Sequence, residues 1–183
     1  MRLLAVILGL AWIIFAAAWI AAGIRLGFGH RNRRQLGARG ILLIIGVVYV
    51  VALHFVSAPW AVVHSVALQV VGIVLFAAGL AVAIWARVLL GRNWGLPGST
   101  HDEPTLVTGG PYRLVRHPIY SGLALACLGT ALALDLLAVP VFVIVLLAGT
   151  LSARSEERTL TQAFPEEYPA YRRRTRMLIP YVF

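Results

Sequence analysis

The sequence predicts an all-α integral membrane protein of about five transmembrane helices, and three observations carry that prediction. The chain is 60% hydrophobic, with a mean hydropathy of +0.85, which lies outside the range of soluble domains. Charge-free apolar runs recur at 3–24, 41–59, 62–86, 118–134 and 136–153. Arginines fill the segments between those runs, all but one of the 16 on the same side of the implied membrane.

The first run, Leu3 to Ile24, spans 22 residues. That is longer than the about 7–15 residues of a signal-peptide core. It ends at Arg25 and the run Arg31 to Arg34, which reads as a stop-transfer signal, so the run is expected to be a retained span. Runs two and three are separated by Ser57-Ala58-Pro59-Trp60. Runs four and five are short and divided only by Asp135, which predicts a tight helical hairpin or, less simply, a re-entrant one. The tail from 154 holds four of the seven acidic residues. Glu156, Glu157, Leu160 and Phe164 continue the helical spacing of the fifth span. Pro165-Glu166-Glu167 opens a further short helix, with acids where the helix dipole favours them.

The loop 25–40, the segment 87–117 and the tail carry the arginines, and only Arg2 lies opposite. This predicts an N-terminus outside and a C-terminus in the cytoplasm. The formal charge of +9 is therefore read as membrane topology and attraction to anionic lipid, with no nucleic-acid partner. Cys127 is the only cysteine, so no intramolecular disulfide and no CxxC metal site can form. HExxH, GxSxG, Walker and GxGxxG patterns are absent, and no metal site is expected. His54, His64 and Gln69 stand alone in apolar surroundings, and a bond to a backbone carbonyl is the simplest role for each.

Chemistry concentrates at PYRLVRHPIYSG, Pro111 to Gly122. Pro118 suits the first position of a helix, with His117 at its N-cap and Tyr120 in the first turn. Arg116 and His117 beside a positive helix end suit an anion. The same residues equally suit an interfacial anchor in which Arg116 snorkels and Tyr120 joins an aromatic belt. The hairpin returns Glu156 and Glu157 to the level of Arg116 and His117. Cations on one wall and carboxylates on the other fit a zwitterion such as S-adenosylmethionine, or a plain surface salt bridge.

TLVTGGPYRLVRHPIYSG (Thr105 to Gly122), SEERTLTQAFPEEYPAYRRR (Ser155 to Arg174), LIP and GRNW (Gly91 to Trp94) together resemble the isoprenylcysteine carboxyl methyltransferase family. Related phospholipid methyltransferases share the broader pattern, and the match covers about residues 88–183. The resemblance implies an N-terminal membrane region, 1–87, and a methyltransferase region, 88–183. The latter comprises the hairpin 118–153 and the cytoplasmic tail 154–183, which together form a cytoplasmic cofactor pocket. It implies S-adenosyl-L-methionine as cofactor, bound by Tyr112, Arg116, His117, Pro118, Tyr120, Glu156, Glu157, Tyr168 and Tyr171. It places Arg174 and Asn93 near a lipophilic methyl acceptor in the bilayer, such as an isoprenylcysteine-like carboxylate. An amino-lipid N-methyltransferase with the same pocket is the alternative, and a non-enzymatic membrane scaffold is the rival outside enzymes. A carboxylate acceptor needs no general base, only a cation to place it. Arg174, three residues after Tyr171, is expected on nearly the same helix face and pointing into the pocket.

Overall fold

The computed structural model describes residues 2–25, 61–93 and 105–182, and these are almost entirely helical. In chain order the helices are α1 (Arg2–Arg25), α2 (Val66–Leu90), α3 (Pro118–Ala133), α4 (Val139–Ala163) and α5 (Glu167–Arg174). Short 3-10 turns lie at Gly91–Asn93, Gly110–Arg113 and Leu136–Ala138. α1, α2 and α4 are long and apolar enough to cross a membrane, and α3 is a shorter apolar helix of 16 residues. The apolar run expected at 41–59 lies outside the described residues, as does His54.

α2 starts four residues later than its apolar run and continues through Arg87. Residues 61–65 are drawn into extended contact with the hairpin turn instead: Val63 N–H donates to the Leu134 carbonyl at 3.1 Å, and Val62 bridges to Asp135. Ser65 then caps the helix, accepting from Leu68 N–H. At the other end Gly91, with φ of 49°, takes a conformation open to glycine and donates back to the Arg87 carbonyl.

α3 is the centre of the bundle. Half of its 16 residues are buried, among them Gly122, Ala126, Gly129 and Ala133. Gly72 and Gly79 of α2 face Gly129 and Gly122 of α3, each pair spaced by two helical turns, so the backbones pack almost directly on one another. A Cβ on Gly79 would stand 2.5 Å from the Ala126 nitrogen and from the Gly122 oxygen. Small residues at such a seam give close dispersion contact where apolar lipid supplies no hydrophobic drive. α1 joins through Leu8 and Trp12. The Trp12 ring meets Phe76 edge-on at 5.7 Å, and its N–H donates to Thr130 Oγ1 at 3.1 Å. The outward faces of α1, α2 and α4 carry exposed Leu, Ile and Val, as lipid contact requires. Cys127 is buried in this packing.

The hairpin is tight, as Asp135 suggests: its carboxylate accepts from Leu137 N–H at 2.8 Å, and Pro140 opens α4. α4 runs on past its apolar part to Ala163, carrying Glu156 and Glu157 to the start of α3. Gln69 donates its amide to the Val63 carbonyl at 2.7 Å, whereas His64 is exposed.

Candidate active site

The polar end of the hairpin is organised by backbone first. Residues 175–178 lie extended beside 114–117, with Arg116 N–H donating to the Arg176 carbonyl at 2.8 Å and His117 N–H to the Met177 carbonyl at 3.1 Å. Ser121 Oγ ties the next residue, donating to the Leu178 carbonyl at 2.6 Å. The tail is thus laced to the start of α3. Pro118 takes the first position of α3 and is fully buried, and His117 sits at the N-cap, as the sequence implies.

The side chains form one cluster. Arg116 Nε donates to Glu157 Oε1 at 2.6 Å, with the two side chains only 8% and 7% exposed. Arg116 Nη1 donates to the Thr175 and Arg172 carbonyls, at 2.6 and 3.3 Å. His117 lies between the acids, Nδ1 3.5 Å from Glu156 and Nε2 3.6 Å from Glu157, within ion-pair range but beyond a good hydrogen bond. Tyr120 donates its hydroxyl to Glu156 at 2.5 Å and stacks on His117 at 5.9 Å. Gly149 makes room for that ring, since a Cβ there would meet the Tyr120 Cβ at 3.0 Å.

Burial works against the charged form of His117. The carboxylates of Glu156 and Glu157 outweigh it and raise its pKa above the ordinary imidazole value. The two walls expected from the sequence do meet, but they meet each other: cations and carboxylates are paired directly.

α5 roofs the cluster with two buried tyrosines. The Tyr171 hydroxyl donates to the Tyr112 carbonyl at 2.7 Å, and the Tyr112 hydroxyl reaches Ala86 at 3.3 Å, so Tyr112 buttresses the roof from α2. The Tyr168 hydroxyl is buried with no hydrogen-bond partner among the described residues. Burial first, and then the charge of Glu157, pushes its pKa upward, keeping it a protonated donor without an acceptor.

Two expected residues lie apart from this cluster. Asn93 is engaged with Thr105, its amide donating to Thr105 Oγ1 at 3.0 Å and its oxygen accepting from Thr105 N–H at 3.3 Å. Arg174 is exposed and lines a separate hollow with Arg113, Arg173 and Arg176. The arginine that reaches the acids is Arg172, with Nε 3.6 Å from Glu157 Oε2. Arg172 also lines a hollow of about 280 Å³ with Arg116, Thr175, Arg176, Met177 and Val182. The sequence reading missed Arg172, Thr175, Ser121 and Gly149. Arg172 follows Tyr171 directly in the sequence, but nothing in the spacing alone marks it as the arginine that meets Glu157.

A phospholipid methyltransferase family model matches residues 67–167. A probable protein-S-isoprenylcysteine O-methyltransferase from Oryza sativa subsp. indica is 30% identical over an alignment of 193 positions, covering 94% of this chain and 96% of that protein. A cobalt-zinc-cadmium resistance protein, CzcN, from Cupriavidus metallidurans is 40% identical over 94 residues, which is 50% of this chain and 43% of that protein's length. Among solved structures, a eukaryotic intramembrane Ras methyltransferase, isoprenylcysteine carboxyl methyltransferase, shares the fold with a TM-score of 0.55 at 19% identity. That match covers 85% of this chain and 55% of the other.

Proposed function

Since the chain belongs to the phospholipid methyltransferase family, on its isoprenylcysteine O-methyltransferase-like side, we propose that it methylates a lipophilic carboxylate at the membrane surface with S-adenosylmethionine as donor. The observation that carries this reading is the convergence of Glu156 and Glu157 on Arg116, His117 and Tyr120 beneath a tyrosine roof. The residues fit a zwitterionic ligand. His117 Nε2 and the Tyr168 hydroxyl are buried polar atoms without hydrogen-bond partners among the described residues. The Glu156 side chain keeps 25% of its surface exposed, next to the buried Glu157.

When bound, S-adenosylmethionine supplies a methyl group activated by its sulfonium cation. Glu156 and Glu157 offer acceptor oxygens to cationic groups, and Tyr168 offers a hydroxyl donor. Arg116 holds Glu157 in place and Arg172 faces it from α5. An ionised acceptor carboxylate has no proton to lose, so the site needs a cation to place it and no base. Arg172, open to the hollow beside the acid pair, is placed to do that; Arg174 is the competing candidate from the adjacent hollow. A dry, prealigned site favours this reaction because two opposite charges disappear as the bond forms.

The family model favours a second reading, an amine acceptor on a phospholipid. One experiment separates the two: native membranes are supplied with methyl-labelled S-adenosylmethionine and the product is treated with base. Base-labile label in a lipid-linked product supports carboxyl methylation, base-stable label an N-methyl product, and no label in any lipid fraction overturns both. We further place the cluster and both polar segments on the cytoplasmic side, from the arginine asymmetry. Labelling of Leu36→Cys from outside intact cells would reverse that orientation.

A further inference from the structure

Beside the acid-containing cluster lies a second hollow, of about 250 Å³, whose lining is quite different: Arg113, Arg173, Arg174 and Arg176, with Leu114 and Tyr181. Its four arginines come from the 3-10 turn before α3, the end of α5 and the extended segment that follows. No carboxylate pairs with any of them among the described residues, whereas Arg116 close by is ion-paired with Glu157. Four like charges around one space repel. They are nevertheless held there by backbone: by the bridge between Val115 and Arg176, and by the bond from Tyr171 to the Tyr112 carbonyl. Such a lining fits a multiply accepting anion, which guanidinium forks grip through two oxygens at once.

The rim decides what carries that anion. Leu114, Pro180 and Tyr181 complete the lining, and Leu114 and Tyr181 are 50% and 83% exposed. Tyr181 has a φ of 66°, in the left-handed region that bulky residues rarely adopt. Arginines within an apolar collar, at the end of a membrane hairpin, match the boundary between headgroups and acyl chains.

We propose that this hollow binds the phosphate of an anionic phospholipid, with Leu114, Pro180 and Tyr181 lying against its glycerol and upper acyl carbons. Arg176 lines both this hollow and the one beside Glu157, so the lipid holds the tail where it covers the acid cluster. The proposal stands apart from methyl transfer, and its test reads binding alone.

The full chain, purified in a neutral detergent, is titrated by calorimetry with dihexanoylphosphatidylglycerol below its micelle concentration. Dihexanoylphosphatidylcholine and inorganic phosphate serve as comparators. Saturable binding of the anionic lipid is expected, at least about tenfold tighter than the zwitterionic one. Arg113→Gln with Arg173→Gln should weaken it about tenfold or more, while Arg154→Gln with Arg158→Gln, removing equal charge from α4, should leave it within about twofold. Equal loss in both pairs would reduce the effect to net charge and overturn the site. Inorganic phosphate competing at the same concentration as the lipid would overturn the lipid assignment. If the first pair does not fold, judged by helical circular dichroism, Arg173→Gln alone reports from an exposed position. It should weaken binding about threefold, and unchanged affinity there also overturns the site.

Discussion

Two regions of α3, five residues apart, are held by opposite physics. At Gly122 the helix lies backbone to backbone on α2, with nothing but small residues between them. At His117 its N-cap is enclosed by charges, arginine and carboxylate in direct contact. The seam fixes position by leaving no volume for a side chain between the two backbones. The charged cluster fixes position by pairing, and each pair can be exchanged for a ligand group of like charge. The first is therefore a rigid reference and the second an exchangeable site.

The sharpest way to break this contrast is at the seam. Gly79→Ala with Gly129→Ala sets two methyl groups against backbone atoms that cannot rotate away. The better helix propensity of alanine offsets only about 1 kcal/mol at each position. The pair should cost about 3 kcal/mol or more by overpacking. Thermal unfolding in detergent should show it, with Gly9→Ala, where a Cβ meets nothing within 4 Å, as the partner that melts no lower than the unsubstituted protein. Equal melting of the two proteins would mean the seam is not rigid.

Glu157→Gln acts on the cluster. It leaves Arg116 buried without its carboxylate, which in comparable buried pairs costs about 3–5 kcal/mol. The carbonyls of Thr175 and Arg172 still hold the Arg116 guanidinium, which places this variant at the low end. Calorimetric affinity for S-adenosylmethionine should fall about tenfold to a hundredfold, consistent with loss of one charge-assisted bond. His117→Ala should weaken binding by a similar factor, and Arg34→Ala should leave it unchanged. Wild-type affinity in both cluster variants would remove the cluster from the binding site.

Tyr168→Phe separates exchangeable from structural most cleanly. Its hydroxyl has no protein partner among the described residues, so deleting it should leave the melting temperature unchanged or slightly raised. Affinity for the methyl donor should drop about threefold to tenfold if that hydroxyl serves the ligand. A fall in stability with no change in affinity would make Tyr168 an ordinary core residue.

The pH dependence sharpens the cluster further. His117 has its pKa raised in the folded protein, so its protonated form stabilises the fold. That contribution is complete below the ordinary value of 6.5 and is lost as pH rises through the raised value. Unfolding in detergent across pH 5 to about 9 should show a decline on the alkaline side that His117→Ala removes. A decline that persists in the variant would point to another group.

Arginine identity in the tail is expected to act on turnover. Arg172→Lys keeps the charge but loses the planar fork facing Glu157, and should lower turnover about tenfold with little change in donor affinity. Arg174→Lys should be milder if Arg174 serves the lipid hollow, and equally damaging if it places the acceptor. The ratio of the two variants is the measurement.

How far the sequence reached follows the same contrast. Hydropathy made α1, α2 and α4 legible because lipid contact demands unbroken apolar surface. The start of α2 was not legible, because residues 61–65 are recruited by Leu134 and Asp135, distant in sequence. The meeting of Glu157 with Arg116 could be read from hairpin geometry alone, since a tight turn at Asp135 returns the chain to its starting level. Which arginine at the end of α5 lies near Glu157 could not. Spacing alone does not say which face of α5 is buried, and the docking of Tyr168 and Tyr171 turns Arg172 toward Glu157. The helix also ends at Arg174, so Thr175, extended with φ of −128° and ψ of 159°, carries the chain off in another direction. Gly149 was invisible for a similar reason, because its meaning depends on the ring of Tyr120 across the hairpin.

Asn93 and Thr105 clasp one another by two hydrogen bonds at the foot of α2. Whatever path residues 94–104 take, they leave and return at a single point. Lengthening a tethered loop is thermodynamically cheap: each doubling costs only about 0.6 kcal/mol of closure entropy. The clasp therefore fixes where the end of α2 and the approach to α3 stand relative to each other.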